Sequence, residues 1–271
     1  YILNTFSNWV REKYDGKKPF FTYMKLMDVH EMNIYSHDVQ CNDTNKDEFL
    51  TLSSFFKDVK KDKQYSGNAL YDCAIRYNDE IIKKLLDFLK EEKLLDNTII
   101  VITADHGGQF PNLPVRDNQK HRVESFADEL FRIPLMFYNK DIKAQEYKEL
   151  VSSVDINTTL LGMVGIKAPS SFRGGSILSN NFMRDYVMSE NQGRGPCHLK
   201  YKSIRVCIRS KFQKVVYELQ PYGQSQGFVI EAFDLIVDPE EFNNLSSNQK
   251  FLEKCHTLIE VARNRAEEIL S

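Results

Sequence analysis

The chain has 271 residues, of which 42% are hydrophobic and 12% are aromatic, and its formal net charge is −2 at pH 7. This composition is that of a globular protein with a hydrophobic core and excludes a disordered chain. A net charge near zero gives no electrostatic drive toward nucleic acid or an anionic membrane surface. No apolar run approaches the ~20 residues of a membrane span, so no span is predicted.

The cysteines are odd in number and widely scattered, and none forms a C-x-x-C pair: Cys41, Cys73, Cys197, Cys207 and Cys255. This pattern predicts ordinary thiols in a reducing, cytoplasmic-type compartment rather than a zinc knuckle or a disulfide framework. No signal peptide is predicted within these residues. Because the sequence opens on Tyr1 without Met, we expect it to be part of a longer gene product.

The first part of the chain alternates predicted helices and strands. Apolar spacing predicts a short amphipathic helix over residues 2–14, a mostly buried strand over 20–27 and a long helix over 70–95. Residues 31–64 are polar and are expected to form a long loop. A β-branched strand over 98–104 follows the long helix, and the alternation favours a parallel sheet covered by helices.

A strand is predicted over residues 133–138, and Asp155 is a suitable N-cap for a helix over 156–164 that stops at Gly165. After about residue 180, short strands joined by short turns predict an antiparallel sheet, at residues 185–188, 202–209, 213–219 and 232–236. A terminal helix is predicted over 248–270. We therefore predict an α/β core over residues 1–180 and a C-terminal antiparallel subdomain with a helix over 181–271.

Two predicted strands end on an acid and a histidine. Asp28 and His30 follow the first strand, and Asp105 and His106 follow the strand at 98–104. Residues at i and i+2 of a strand face the same side, and the glycines after His106 allow the chain to turn and aim both adjacent side chains inward. Carboxylate oxygen with imidazole nitrogen suits a divalent cation, so a site at the carboxyl end of the sheet is predicted.

Each of these features also has a purely structural interpretation. A strand-terminal Asp followed by Gly can be a simple turn, and a single His is more often structural than a ligand. His121 lies in a polar loop and fits a site or a surface equally well. Lys25 lies within an apolar strand, where exit to solvent is favoured over a site role. His37, His198 and His256 are assigned to structural or surface positions.

Several segments, taken in order, resemble the C-terminal part of a sulfatase in the alkaline-phosphatase-like superfamily. They are PFFTYMKLMDVH, YDCAIRYNDEIIKKLLDFLKEEKLLDNTIIVITADHG, FADELFRIPLMFY, SSVDINTTLLGMVGIKAP with FRGGSI after it, and EAFDLIVDPEEFNNLS. They cover nearly all of the chain. The resemblance implies an α/β fold with a largely parallel sheet flanked by helices, followed by a small antiparallel sheet and a helix.

The resemblance also implies roles for individual residues. Asp105 and His106 match the family's late metal pair, and His30 matches the histidine near the leaving oxygen of the ester. Lys120 and His121 are the candidates for the basic residue that precedes the Arg-Ile-Pro strand, although their spacing from that strand departs from the family pattern. The implied cofactor is a divalent cation, with calcium favoured over magnesium or manganese.

The chain departs from the family at the nucleophile. It contains neither the Asp pair of the family's first strand nor a Cys-x-Pro-x-Arg or Ser-x-Pro-x-Arg segment, whose first residue becomes formylglycine. The simplest expectation is that the nucleophile half lies outside this sequence and that the chain alone is inactive.

The expected parent activity is metal-dependent hydrolysis of a small-molecule or carbohydrate sulfate ester, with no nucleic-acid partner. A phospho-group transferase or phosphodiesterase of the same superfamily, with a Ser or Thr nucleophile, is the alternative enzyme. A sulfatase-like fold that only binds its ligand is the third hypothesis.

Overall fold

The structure is a computed structural model that describes residues 2–29, 67–108, 126–191, 203–220 and 227–270. These residues fall into two compact units. The first unit contains residues 2–29, 67–103 and 134–143, and the second contains 104–108, 126–133, 144–191, 203–220 and 227–270. The predicted domain boundary near residue 180 stays a prediction.

The first unit is built from two helices, one short 3₁₀ turn and two strands. These are α1 (Ile2–Lys13), α2 (Gly67–Glu91), the 3₁₀ turn (Leu95–Asn97), β1 (Ile100–Thr103) and β2 (Leu135–Tyr138). Phe6 and Val10 of α1 pack against Phe88 and Leu89 of α2 to form its core. The predicted helices and the strands at 98–104 and 133–138 are thus confirmed, with ends shifted by a few residues.

The two strands of this unit pair antiparallel, with Ile100 opposite Tyr138 and Thr103 opposite Leu135. The α/β class is confirmed, but the expectation of a parallel arrangement is wrong for this pair. An apolar run indicates a strand. It does not show the direction of that strand, which depends on the strand that pairs with it across the chain.

Residues 20–27, which were predicted to form a strand, are irregular in the structure. This described segment pairs with neither β1 nor β2. Its side chains differ in exposure. Phe20 and Met24 pack against the α1–α2 core, whereas Phe21 is 84% exposed and Tyr23 is 77% exposed. Lys25 is exposed as well, in agreement with its predicted exit to solvent. The segment is therefore apolar but only partly buried, and it lacks the paired neighbour that a strand requires.

The second unit is organised around an antiparallel sheet with the strand order β3-β4-β5-β6. The strands are β3 (Tyr186–Asn191), β4 (Ile204–Ser210), β5 (Gln213–Leu219) and β6 (Phe228–Asp234). The predicted antiparallel sheet is confirmed. Its last strand begins four residues earlier than predicted, and it ends two residues earlier because residues 235–237 form a turn.

One face of this sheet packs against the terminal helices α5 (Gln249–Lys254) and α6 (His256–Leu270). The buried side chains of this core are Ile204, Val206, Ile208, Val215, Tyr217, Leu219, Ala232, Phe251, Cys255, Leu258, Ala262 and Ala266. The predicted terminal helix is confirmed, with a break at the buried Cys255 between α5 and α6. Among the described helices, none is long and apolar enough to cross a membrane.

Two further helices of the second unit are α3 (Asp128–Phe131), a single turn that the sequence did not predict, and α4 (Val154–Met163). The N-cap of α4 is Ser153 rather than the predicted Asp155. The Asp155 carboxylate is fully buried. It accepts hydrogen bonds from the backbone N–H groups of Ser152 and Gly175, each 2.8 Å long, and from Arg184. Asp155 therefore joins the start of α4 to the FRGGSI segment.

The predicted stop of this helix at Gly165 is confirmed. Gly165 has φ +72°, a left-handed conformation that glycine adopts without a steric penalty. Its N–H donates to the carbonyl of Gly162 at 3.2 Å, and the N–H of Ile166 donates to the carbonyl of Leu161 at 2.8 Å. These two bonds are the Schellman arrangement that ends many helices.

Candidate active site

Asp105 and His106 lie in an irregular segment, residues 104–108, that follows directly after β1. Both side chains are exposed. The Asp105 carboxylate accepts a hydrogen bond from the backbone N–H of His106 at 3.1 Å. We refer to residues 104–108 as the Asp105–His106 loop.

The His106 ring lies against its own loop, with Nδ1 2.7 Å from the carbonyl oxygen of Gly107. When Nδ1 carries the proton and donates it to this carbonyl, Nε2 carries the lone pair. Histidines that ligate metals are commonly fixed in this way by a backbone carbonyl at the other ring nitrogen. The local geometry is therefore compatible with metal binding through Nε2.

The loop is held by α3. The Gly107 N–H donates a 2.7 Å hydrogen bond to the carbonyl of Leu130. A Cβ atom at position 107 would overlap the carbonyl oxygen of Glu129 and lie 2.9 Å from its carbonyl carbon. Glycine is thus required here because the backbone of α3 approaches too closely for any side chain, and not because of a left-handed φ.

The first residue of α3, Asp128, accepts hydrogen bonds from Arg209 Nε at 2.9 Å and from Lys214 Nζ at 3.2 Å. Burial alone would raise the pKa of the Asp128 carboxyl, but Lys214 and Arg209 together outweigh it and hold that pKa below its usual value. Burial likewise acts to lower the pKa of Lys214, but the neighbouring Cys207, Glu241 and Asp128 outweigh it, so that pKa is raised. Asp128 and Lys214 are therefore both charged at neutral pH.

The residues present fit part of a coordination shell. Asp105 offers carboxylate oxygens and His106 an imidazole nitrogen, and both donor types bind divalent cations. Calcium takes 6–8 oxygen ligands, so two residues do not complete a site for it. Within the described ranges, no group of three or more His, Cys, Asp or Glu side chains could hold a metal ion.

The other predicted site residues are distributed as follows. Asp28 is described, half-buried, and belongs to the first unit, whereas the Asp105–His106 loop belongs to the second. His30, Lys120 and His121 lie outside the described residues. The predicted convergence of Asp28 and His30 with Asp105 and His106 stays a prediction.

Two cysteines can be assessed as nucleophiles, and both are buried thiols without a disulfide partner. Burial raises the pKa of the Cys207 thiol to about 12, and burial, followed by the charge of Asp234, raises that of Cys255 to about 11. Since the thiolate is the reactive form, these cysteines are structural. This agrees with the predicted role of ordinary thiols.

Sequence reasoning missed the buried charges around α3. Lys214 is 1% exposed and Glu241 is 2% exposed, and Lys214 Nζ donates to Glu241 Oε1 at 2.6 Å. The signal was present, because Lys214 stands in the otherwise apolar strand sequence QKVVYEL. A lysine in such a strand needs an anionic partner.

Two family models match the chain. Residues 2–166 match the model described as Sulfatase, and residues 123–267 match the model described as N-sulphoglucosamine sulphohydrolase, C-terminal. The first match alone covers more than half of the 271 residues. The chain belongs to the sulfatase family. The resemblance drawn from the sequence motifs is confirmed.

Curated relatives include arylsulfatase K of Canis lupus familiaris, which is 26% identical over 209 residues and matches 72% of this chain. N-acetylglucosamine-6-O-sulfatase of Bacteroides thetaiotaomicron is 28% identical over 70% of this chain. Arylsulfatase of Clostridium perfringens is 25% identical over 94% of it. The matched regions make up 36%, 34% and 54% of these relatives, so the chain spans about a third to a half of their length.

Solved structures give the same picture for the fold. A candidate sulfatase from Bacteroides fragilis matches with a TM-score of 0.63 at 17% identity, over 100% of this chain and 60% of its own. A protein in complex with its substrate D-glucosamine-2-N,6-O-disulfate matches with a TM-score of 0.57 at 18% identity, over 98% of this chain and 69% of its own. The predicted α/β fold of the sulfatase and alkaline-phosphatase-like class is confirmed.

Proposed function

We propose that this chain forms the C-terminal part of a metal-dependent sulfatase that hydrolyses a sulfate ester. The observation that carries the proposal is the Asp105–His106 loop. In a chain of the sulfatase family, it presents an exposed carboxylate and an exposed imidazole directly after a strand. Proteins with α/β folds generally bind their ligands just beyond the carboxyl ends of the sheet strands.

Asp105 and His106 would hold the cation in this proposal. Asp105 contributes an anionic oxygen, and the contact of His106 Nδ1 with Gly107 directs the lone pair to Nε2. When bound, the cation stabilises negative charge on the sulfate oxygens. The oxygen donor favours calcium, and magnesium or manganese would also be accepted.

Two further residues take their proposed roles from the family resemblance, and both lie outside the described residues. His30 would donate a proton to the leaving oxygen as the ester bond breaks, and His121 would lie near the sulfate. The nucleophile would come from a segment that this sequence does not contain, since no cysteine here stands in Cys-x-Pro-x-Arg. The chain alone is therefore proposed to be inactive.

The proposed substrate is a sulfated carbohydrate. Support comes from the relatives named N-acetylglucosamine-6-sulfatase and from the structural neighbour in complex with a glucosamine disulfate. A small aryl sulfate should serve as a reporter substrate, because the relatives also include arylsulfatases.

The test is hydrolysis of 4-nitrophenyl sulfate and glucosamine 6-sulfate by the protein that carries this chain together with a nucleophile segment. Asp105→Ala should lower kcat/KM by at least about 100-fold, because it removes an anionic ligand of the stabilising cation. Asp141→Ala, which removes an exposed carboxyl after β2, should leave the rate unchanged. Wild-type turnover by the Asp105→Ala variant would contradict the proposal.

The same assay separates the alternatives. Faster hydrolysis of 4-nitrophenyl phosphate than of the sulfate would favour the phosphoryl-transfer enzyme. A protein without turnover whose metal affinity is unchanged by Asp105→Ala would favour a binding role.

Calorimetry with the 271-residue chain tests the metal proposal separately. We expect weak binding of calcium or magnesium, because the chain supplies only part of the ligand set. A sub-micromolar dissociation constant would show instead that the site is complete within this chain.

A further inference from the structure

The second face of the C-terminal sheet carries two cations side by side. Arg209 of β4 and Lys214 of β5 are directly opposite each other in the register, so their side chains leave the same face. Like charges at such positions repel. Two carboxylates offset this repulsion, because Asp128 accepts from both cations and Glu241 accepts from Lys214. These four residues form what we call the Asp128 network.

The network is anchored deeply in the second unit. Lys214 and Glu241 are both almost fully buried. Glu241 also has a left-handed backbone with φ +60°, which is unfavourable for a residue with a side chain, so its contacts must hold it there. Its second carboxylate oxygen accepts from the backbone N–H of Asp128 at 3.3 Å.

The network fixes α3, which is too short to be stable alone. It has only four residues, and nucleating a single helical turn is unfavourable. Asp128 is bound through both its side chain and its backbone N–H, and its carbonyl accepts from the N–H of Arg132 at 2.7 Å. On the same side, Phe126 packs on Cys207 and Val216 and stacks on Phe131.

The Asp105–His106 loop is in turn fixed by α3. The 2.7 Å bond from Gly107 to Leu130 and the close approach of Glu129 join the loop to this turn. A continuous series of contacts therefore runs from the buried Lys214 through Asp128 and Leu130 to the residue that follows His106.

We propose that the Asp128 network is a positioning device for the Asp105–His106 loop: Lys214 and Asp128 act on the candidate metal ligands by holding α3 in place. The inference rests on the proposed function only in taking Asp105 and His106 as ligands. Lys214 and Asp128 touch neither substrate nor metal in this arrangement and are positioning residues.

Amide hydrogen exchange in the 271-residue chain, followed by NMR, tests the proposal without any activity. Lys214→Met should speed exchange of the Gly107 N–H at least tenfold more than it speeds exchange of the amides of β3 and α6, because the loss is local to the loop. Asp128→Asn should act in the same direction, and it decides the question if Lys214→Met does not fold.

Lys211→Met is the matched control. Lys211 lies in the turn between β4 and β5, three residues before Lys214, and pairs with Glu149 on the surface rather than with α3. The Lys211→Met substitution should leave the exchange rate of the Gly107 N–H unchanged. Unaltered exchange at Gly107 in the folded Lys214→Met or Asp128→Asn variants would overturn the proposal. Equal acceleration at all amides would also overturn it, since that is the result of general destabilisation.

A second measurement connects the network to the ligands. Manganese ion alone should broaden the His106 ring resonances, and Asp128→Asn should raise the half-effect concentration about tenfold, whereas Lys211→Met should not. Broadening that is equal in all three proteins would overturn the positioning role. If manganese leaves His106 unaffected in the parent chain, the metal-binding proposal fails, and the exchange measurement decides the positioning proposal by itself.

Discussion

At the scale of single residues, two glycines of the second unit differ in the space available for an added methyl group. Gly107 has backbone atoms of Glu129 where a Cβ atom would lie. Gly162 lies in α4, and its nearest neighbour would be Ser176 Oγ at 3.6 Å, an ordinary contact distance. The same substitution should therefore have effects of opposite sign at the two positions.

We expect Gly107→Ala to lower the free energy of unfolding by about 1–3 kcal/mol, the usual effect of overpacking. Gly162→Ala should raise it by about 0.5–1 kcal/mol, because alanine is favoured over glycine within a helix. Urea unfolding followed by circular dichroism measures both. Stability changes of the same sign would show that the loop does not pack on α3 as described.

The sequence was informative for residues whose chemistry is local. Asp105, His106 and the glycine after them form a recognisable motif, and their adjacency needs no knowledge of the fold. The partners of Lys214 could not be predicted, since Asp128 is 86 residues away and Glu241 is 27 residues away along the chain. Long-range ion pairs leave no periodic signal in one sequence.

At the scale of elements, Asp155 shows how one carboxylate can join two segments. Asp155→Asn should lower the free energy of unfolding by about 3 kcal/mol, because it leaves Arg184 without its anionic partner and turns an amide toward a backbone donor. Asp185→Asn, at an exposed position one residue after Arg184, should change stability by less than about 0.5 kcal/mol. Thermal unfolding of the two variants gives the comparison, and equal losses would contradict the assigned role of Asp155.

Elements with strong periodicity were predicted well. The helices α1, α2 and α6 carry clear apolar faces, and the hairpin of β4 and β5 alternates between two buried surfaces. The structure of residues 20–27 and the relative direction of β1 and β2 were predicted wrongly. Both depend on pairing between strands that are distant in the sequence. The turn α3 escaped prediction because its stability comes from the Asp128 network rather than from its four residues.

At the scale of the whole molecule, the Asp128 network links stability to pH at both ends of the scale. The pKa of Asp128 is lower in the folded chain than the unfolded value of about 3.9. Its contribution to stability is therefore present above about pH 4 and is lost as the pH falls through the folded pKa. The pKa of Lys214 is raised above 10.5, so its contribution is present below that value and is lost as the pH rises through the folded pKa.

This linkage predicts that the free energy of unfolding of the wild type falls more steeply below pH 4 than that of Asp128→Asn, whose side chain does not titrate. Denaturant unfolding between pH 3 and pH 7 measures the two slopes. Parallel curves for the two proteins would contradict the lowered pKa of Asp128.

The aromatic side chains of Phe21 and Tyr23 have a consequence for handling the molecule. They stand two residues apart in a short segment rich in β-forming residues, with most of their surface in water. Such a segment is a template on which a second molecule can add a strand, so we expect aggregation to start there. Phe21→Lys should delay the rise of light scattering in concentrated samples without changing the unfolding midpoint, because that ring contributes little to the folded core.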